Sequence, residues 1–389
     1  MAKKKVAETA HALLSASGAS RWINCPPSAR LEEKFGINTS SIYADEGTLA
    51  HELGEVNLRI LNDTIPLDEY QERINDIESN ALYNAEMPDE VEKYTSYVFE
   101  EYLEARKVTK DAVLNVEQKF SLEDIIPGGF GTNDASIVAD VKLKIYDLKY
   151  GKGVKVSAIN NSQLKLYAWG ALKEYELLYD IQVVELNIVQ PRLDNFSSWE
   201  ITVEDLKEWV DSVVIPAAKL ADAGKGVLKA GDHCKFCKIK RRCKALANTN
   251  LEIAKYEFKS PELLTELEIA DILKRESLFV NWINSISDYA LEQALDGKKW
   301  PGFKVVAGRG SRKWLDSEKV KEALLAKGFK DDDLTDSKLK GITAIEKLVT
   351  KKNFNEYVGE WVIKQEGKPT LVDSEDKRPE LGSAVNDFQ

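Results

Sequence analysis

The stretch GGFGTNDASIVADVKLKIYDLKYGKG, Gly128 to Gly153, decides how this chain is read. A glycine-rich turn leads into one β-branched run, "DASIVAD", and a second, "KLKIYDLKYG", follows at once. Short β-branched runs bounded by Gly, Pro and Asn are expected to be strands. Alternate side chains of a strand share a face, so Leu143, Ile145, Asp147 and Lys149 project together. An apolar stripe thus ends in a carboxylate and an ammonium side by side. Asp134 is expected to open the preceding strand; as an antiparallel neighbour it would stand beside Asp147. Two close carboxylates repel one another, and a divalent cation holds both ionised. Oxygen ligands favour Mg²⁺ or Mn²⁺, and Lys149 would orient or deprotonate a water held there. An Asp-x-Lys pair taken alone reads more simply as a surface ion pair, because such pairs are common on strands.

Working outward, "DEGTLAHELGEVNLRIL" (45–61) reads as a helix with Leu49, Leu53 and Val56 on its apolar face. It carries His51, with Glu55 one turn on; a lone histidine there is by itself a satisfied core residue. Acid-rich helical sequence continues to about Arg106. "AVLNVEQKFSL" is a strand, and its Glu117 is a weaker candidate for the site, read in preference as only a neighbour. After the quoted stretch, "NSQLKLYAWGALKEY" is a helix that places Gln163 and Tyr167 on one face. A strand, "IQVVELNIVQPRL", and a helical run, "TVEDLKEWVDSVVIPAAKLADAG", follow. Helix, three strands, helix, strand predicts an α/β sheet with helices packed against it. The expected layout is a solvated tail over 1–19, a first domain over 20–247 and a mainly helical C-terminal domain over 248–389.

With 389 residues and a net charge of −11, the chain is unsuited to wrapping nucleic acid with its whole surface. A local basic groove is not excluded. No apolar run approaches the ~20 residues of a membrane span, and Glu8 and His11 interrupt the one signal-like segment. A cytoplasmic protein is expected, and there four cysteines are metal ligands rather than disulfides.

Three of the four cysteines, Cys234, Cys237 and Cys243, stand as C-x2-C-x5-C in "GDHCKFCKIKRRCKA"; the fourth, Cys25, lies in "SRWINCPPSAR". Four thiolates suit zinc or an iron–sulfur cluster, and spacing leaves the choice open. His233 is a substitute ligand or a solvated neighbour. Lys235, Lys238, Lys240, Arg241, Arg242 and Lys244 interleave with the cysteines, forming either a solvated face or a grip on phosphate. Trp22 and Phe236 would stack on bases or be buried against the metal site, burial being the expectation. In "GRGSRKW", Arg309, Arg312, Lys313 and Trp314 suit single-stranded nucleic acid, or equally an exposed basic turn after a strand.

Taken together, His51, the "GTND" ending at Asp134, the "DLK" of Asp147 to Lys149, and Gln163 with Tyr167 resemble the RecB-like branch of the PD-(D/E)xK nucleases. The resemblance covers roughly residues 20 to 247. It implies a PD-(D/E)xK core, a mixed sheet flanked by helices. It further implies His51, Asp134 and Asp147 as ligands of Mg²⁺ or Mn²⁺, Lys149 as the catalytic lysine, and Gln163 and Tyr167 as active-site residues. One cysteine upstream and three downstream resemble the iron–sulfur members of that branch, including the CRISPR-adaptation exonucleases. In these a [4Fe–4S] cluster staples the domain's beginning to its end; Zn²⁺ is the competitor. The whole chain also resembles an uncharacterised family of phage and prophage proteins. The implied function is a metal-dependent deoxyribonuclease acting on DNA ends in phage replication or recombination, with DNA and phage replication proteins as partners. The competing expectations are a non-catalytic DNA-binding scaffold that keeps the fold and a zinc-stapled interaction module.

Overall fold

In the computed structural model, residues 12–36, 42–252, 265–334, 339–373 and 378–381 are described. The expected N-terminal tail lies outside them up to residue 11. Two compact units divide between Phe279 and Val280. The break expected near Ala247 falls instead within a helix.

The first unit begins with α1 (Ala19–Asn24), α2 (Ser28–Phe35), α3 (Ile42–Leu61), α4 (Leu67–Glu78) and α5 (Met87–Val108). Strands β1 (Val113–Ser121), β2 (Phe130–Val138) and β3 (Lys142–Leu148) follow. Then come α6 (Ser162–Tyr175), β4 (Val183–Gln190), β5 (Asn195–Thr202), α7 (Val203–Trp209), α8 (Ile215–Asp222) and α9 (Lys244–Leu251). The five strands make one sheet in the order β1-β2-β3-β4-β5. Only β3 and β4 run parallel, as a connection through a helix requires. The protein is therefore mixed α/β.

Apolar alternation explains the two layers on the sheet. Leu143, Ile145, Val184, Leu186 and Ile188 pack with α6, α7 and α8 on one face. Ala135, Ile137, Tyr146 and Leu148 pack with Leu58 of α3 and with Tyr94, Val98 and Tyr102 of α5 on the other. Each such aliphatic side chain, fully buried, contributes about 1.5–3 kcal/mol.

The sequence pattern differs from the structure at two places. β5 is an additional strand: Pro191–Leu193 form a 3₁₀ turn, Asp194 takes a left-handed φ of 48°, and the chain doubles back. Its polar, half-exposed "NFSSWEIT" carries little apolar signal. Asp134 stands in the middle of β2, because Phe130 and Gly131 already pair with Ser121 and Phe120.

The remainder of the chain includes α10 (Glu266–Leu295), β6 (Phe303–Trp314), α11 (Ser317–Ala326), α12 (Asp331–Leu334), α13 (Ile342–Val349), α14 (Lys351–Val358) and β7 (Val362–Asp373). β6 and β7 pair antiparallel, so the region expected to be mainly helical also carries a long two-stranded ribbon. Val320, Leu324, Ile345 and Phe354 form its core. Trp314, offered for base stacking, packs into that core instead; its ring lies 5.8 Å from Phe354 and its indole N–H donates to Lys340 O. Arg309, Arg312 and Lys313 are on β6 itself, and their side chains lie outside the described residues.

Candidate active site

The antiparallel registers set three acidic residues abreast. Val116 pairs with Ala135 and Gln118 with Asn133, so Glu117 faces Asp134 across β1 and β2. Ala135 pairs with Tyr146, so Asp134 faces Asp147 across β2 and β3. Asp134 is held from two sides: Oδ2 accepts from the backbone N–H of Leu148 at 2.7 Å, and Oδ1 lies 3.3 Å from Nδ1 of His51. His51 comes from α3, which packs across this end of β1.

Asp147 is buried. Its Oδ2 pairs with Nζ of Lys149 at 2.6 Å, and its Oδ1 accepts from Nε2 of Gln163 at 3.0 Å. Gln163 also lies 2.9 Å from the Tyr167 hydroxyl and accepts from Lys149 at 3.4 Å. The start of α6 fixes this arrangement, because Asn161 caps the helix by accepting from the N–H groups of Gln163 and Leu164. Gly131 makes room for Tyr167: a Cβ there would sit 2.7 Å from its ring. Asp134, Asp147, Lys149, Gln163, Tyr167 and His51 are thus brought to one place.

Glu117, from sequence only a weaker candidate, stands with His51 and Asp134 at the site. Ligand atoms of His51, Glu117 and Asp134 all lie within 4.8 Å of one another. Glu117 also has a φ of 50°, uncommon for a residue with a side chain, and drops out of the otherwise continuous β1–β2 pairing. The twist there changes which residues face α6. Tyr175 OH donates to Asn115 before the break, whereas Gln118 and Phe120 meet α6 after it. Strict alternation fails at this residue, which is why alternation did not single it out. Its signal is a lone acid within the run "LNVEQKF". Tyr94 is the second addition. Its hydroxyl is buried without a protein hydrogen-bond partner and feels the charges of Asp134, Glu117 and Asp147.

The electrostatics follow from burial and crowding. Burial, reinforced by Asp134, pushes the Glu117 carboxyl up to about 8. Burial also raises Asp147, with Asp134 adding to the effect and Lys149 opposing it. Burial works against the His51 cation, yet the charge and hydrogen bond of Asp134 outweigh it and lift the imidazole to about 9. Burial likewise disfavours the Asp134 carboxylate, but His51 and Lys149 bring it below its ordinary value. One imidazole beside two carboxylates is a ligand set that fits a hard divalent cation such as Mg²⁺ or Mn²⁺, whose binding would displace the protons on His51 and Glu117.

The family model described as "Protein of unknown function (DUF2800)" matches residues 11–379. The chain belongs to the DUF2800 family. A solved structure titled "Crystal structure of SSO0001" is 14% identical to it, with a TM-score of 0.25, over 59% of this chain and 85% of that one. A likeness so distant bears on neither fold nor activity.

This DUF2800 protein gathers its cysteines from opposite ends of the first unit. Cys25 caps the C-terminus of α1, and Cys234 lies in a 3₁₀ turn, Asp232–Phe236, that packs against α1. Cys237 ends that turn and Cys243 precedes α9. All four are free thiols. Burial raises Cys25, Cys234 and Cys237, the last to about 12. Cys25 and Cys234 both feel Cys243, and Cys237 feels Cys234, so the four thiols share one neighbourhood. The loop is further tied down by the N–H of Lys238, which donates to Glu32 of α2 at 2.7 Å. Three buried thiols that resist ionisation when empty, with Cys243 beside them, fit a metal group able to hold them as thiolates.

Around them, His233 Nε2 lies 2.8 Å from Lys229 O. Trp22 is buried and donates to Ser15 O, whereas Phe236, expected to be buried, is 73% exposed with Lys235 over its ring. Lys235, Lys238, Lys240, Arg241 and Arg242 lie on the surface of this loop, with Lys240 donating to Lys235 O and Arg242 stacked on Phe35.

Among the described residues, no helix is long and apolar enough to cross a membrane.

Proposed function

We propose that this DUF2800 chain is a metal-dependent deoxyribonuclease of RecB-like PD-(D/E)xK chemistry, acting on DNA ends. The supporting observation is the convergence of His51, Glu117, Asp134 and Asp147 beside Lys149, on adjacent strands and one helix. His51, Glu117 and Asp134 would hold Mg²⁺ or Mn²⁺, with Asp147 one strand away. The cation would keep these acids ionised and stabilise charge developing on phosphate oxygens.

The chain's own groups supply the rest. Leu148 N–H and His51 fix Asp134 in one orientation. Lys149, held beside Asp147, places a positive charge where a phosphodiester and its attacking water meet, and Gln163 sets the distance between Asp147 and Lys149. Tyr167 and Gly131 pack α6 close to β2, which keeps Gln163 in reach.

The cysteines act as a staple, read here as an iron–sulfur cluster. Four thiolates suit a tetrahedral Zn²⁺ site as well, and the visible absorption and metal content of the purified protein distinguish the two.

The test is cleavage of end-labelled linear single- and double-stranded DNA with Mg²⁺, Mn²⁺ or EDTA. Protein purified without oxygen is run beside Lys149→Ala. Metal-dependent loss of label in the wild type, abolished in the variant, is the expected result. No cleavage by folded, fully metallated protein would overturn the proposal in favour of a DNA-binding scaffold.

A further inference from the structure

β1 is an edge strand, and a cleft of about 420 Å³ opens beside it. Arg59 and Asn62, with Thr64 just after α3, form one wall, and residues 114–119 of β1 form the other. Glu117 lines this cleft and also belongs to the His51–Glu117–Asp134 cluster, so the two are contiguous. His51, Glu55 and Arg59 recur every four residues along one face of α3. Arg59 therefore stands about 12 Å along the helix from His51.

The lining carries two cations, Arg59 and Lys119, one acid, Glu117, and several neutral hydrogen-bonding groups. Arg59 is held rigidly: Nε bonds Glu55 Oε1 at 2.7 Å and Nη2 donates to Val116 O at 3.2 Å. Those bonds leave part of its donor fork unused. Lys119 is exposed, its ammonium 3.9 Å from the centre of the Phe130 ring. Asn62, Thr64, Asn115 and Gln118 supply polar atoms of both kinds. A peptide strand added to β1 is disfavoured. Asn62 and Arg59 already occupy the carbonyls of Leu114 and Val116, and Glu117 breaks the strand's regular geometry.

We propose that this cleft is a subsite for one nucleotide of a single-stranded nucleic acid, the one flanking the phosphodiester that reaches the cluster. Arg59 and Lys119 take its phosphate, and Asn62, Thr64 and Gln118 meet its sugar and base. The volume suits a small ligand and is too narrow for a duplex. The subsite rests on the nuclease reading for its purpose, though not for its chemistry.

Two variants test it, Lys119→Glu and Thr64→Trp, which reverse a charge and fill the space at exposed positions. Lys207→Glu, exposed on α7, is the control for overall charge. Binding of a short fluorescein-labelled oligothymidylate is followed by anisotropy in EDTA, with thermal melting to confirm folding. Both cleft variants are expected to bind about tenfold more weakly, while the control binds as wild type. Wild-type affinity in both cleft variants, or equal weakening in the control, overturns the subsite. Hydrolysis of bis(p-nitrophenyl) phosphate by wild-type protein with Mn²⁺ is measured alongside. Its absence would count against the nuclease reading alone, because the anisotropy still decides the cleft.

Discussion

The carboxylate site and the cysteine site are built in opposite ways. Glu117, Asp134 and Asp147 sit on neighbouring strands whose registers place them before anything binds. The cysteines sit at the ends of short helices and 3₁₀ turns, where the backbone hydrogen bonds are local to each turn and tie no distant segments together. A sheet can preorganise a site at no further cost in order. A metal group bound by such a loop, as proposed, would turn its binding energy into folding energy.

The largest effect should come from the loop. Cys237→Ser is expected to remove the bound metal group and destabilise the first unit by about 5 kcal/mol. Metal content, visible absorption and thermal melting measure this, and an unchanged melt would break the contrast. The sheet site should behave conversely. Asp134→Asn is expected to lower kcat on the order of 10³-fold, about 4 kcal/mol, while the protein stays folded. Unfolding of that variant would show that the carboxylates are themselves structural.

A smaller effect probes how α6 is seated. A Cβ at Gly170 would lie 2.5 Å from Cβ of Phe120. Gly170→Ala gains about 1 kcal/mol of helix propensity but overpacks by about 1–3 kcal/mol. A net loss near 1 kcal/mol in denaturant melts is expected, with weakened cleavage as α6 carries Gln163 away. A net gain in stability would mean the α6–β1 contact yields easily.

A further effect is in pH. His51 is raised from 6.5 to about 9, so its pairing stabilises the metal-free protein fully below pH 6.5 and is lost as pH rises through 9. Glu117 is raised from 4.5 to about 8, so its ionisation is penalised in the folded state; that penalty is absent below pH 4.5 and complete above 8. Both make the metal-free protein less stable from about pH 5 to pH 9. Glu117→Gln should flatten this slope in thermal melts, and Mn²⁺ should flatten it in the wild type. A slope that is the same in the variant would remove Glu117 from the site.

Much of this was legible in the sequence where side-chain periodicity and backbone agree. Leu49, Leu53 and Val56 are buried on α3 as their spacing requires, and Gln163 and Tyr167 share a face of α6 and touch. Asp134 beside Asp147 followed from two adjacent antiparallel strands. Legibility ended where tertiary context overrides local pattern. β5 is polar and half-exposed, Glu117 sits at a left-handed break, and the edge cleft joins residues some fifty positions apart. Phe236 defeats its hydrophobicity because the cysteine loop leaves it in solvent.

The proposed staple between α1 and the loop after α8 would also set a timetable. Cys25 leaves the ribosome about two hundred residues before Cys234, which at roughly 5–20 residues per second is a wait of about 10–40 s. Throughout that interval α1 has no partner turn, and its thiol stands open to oxidants and to the wrong metal. The sheet, made of strands close in sequence, can assemble meanwhile. On that proposal, delivery of the metal group would be a late event in the life of the nascent chain, and a cell short of it would accumulate molecules with a finished sheet and an unfastened beginning.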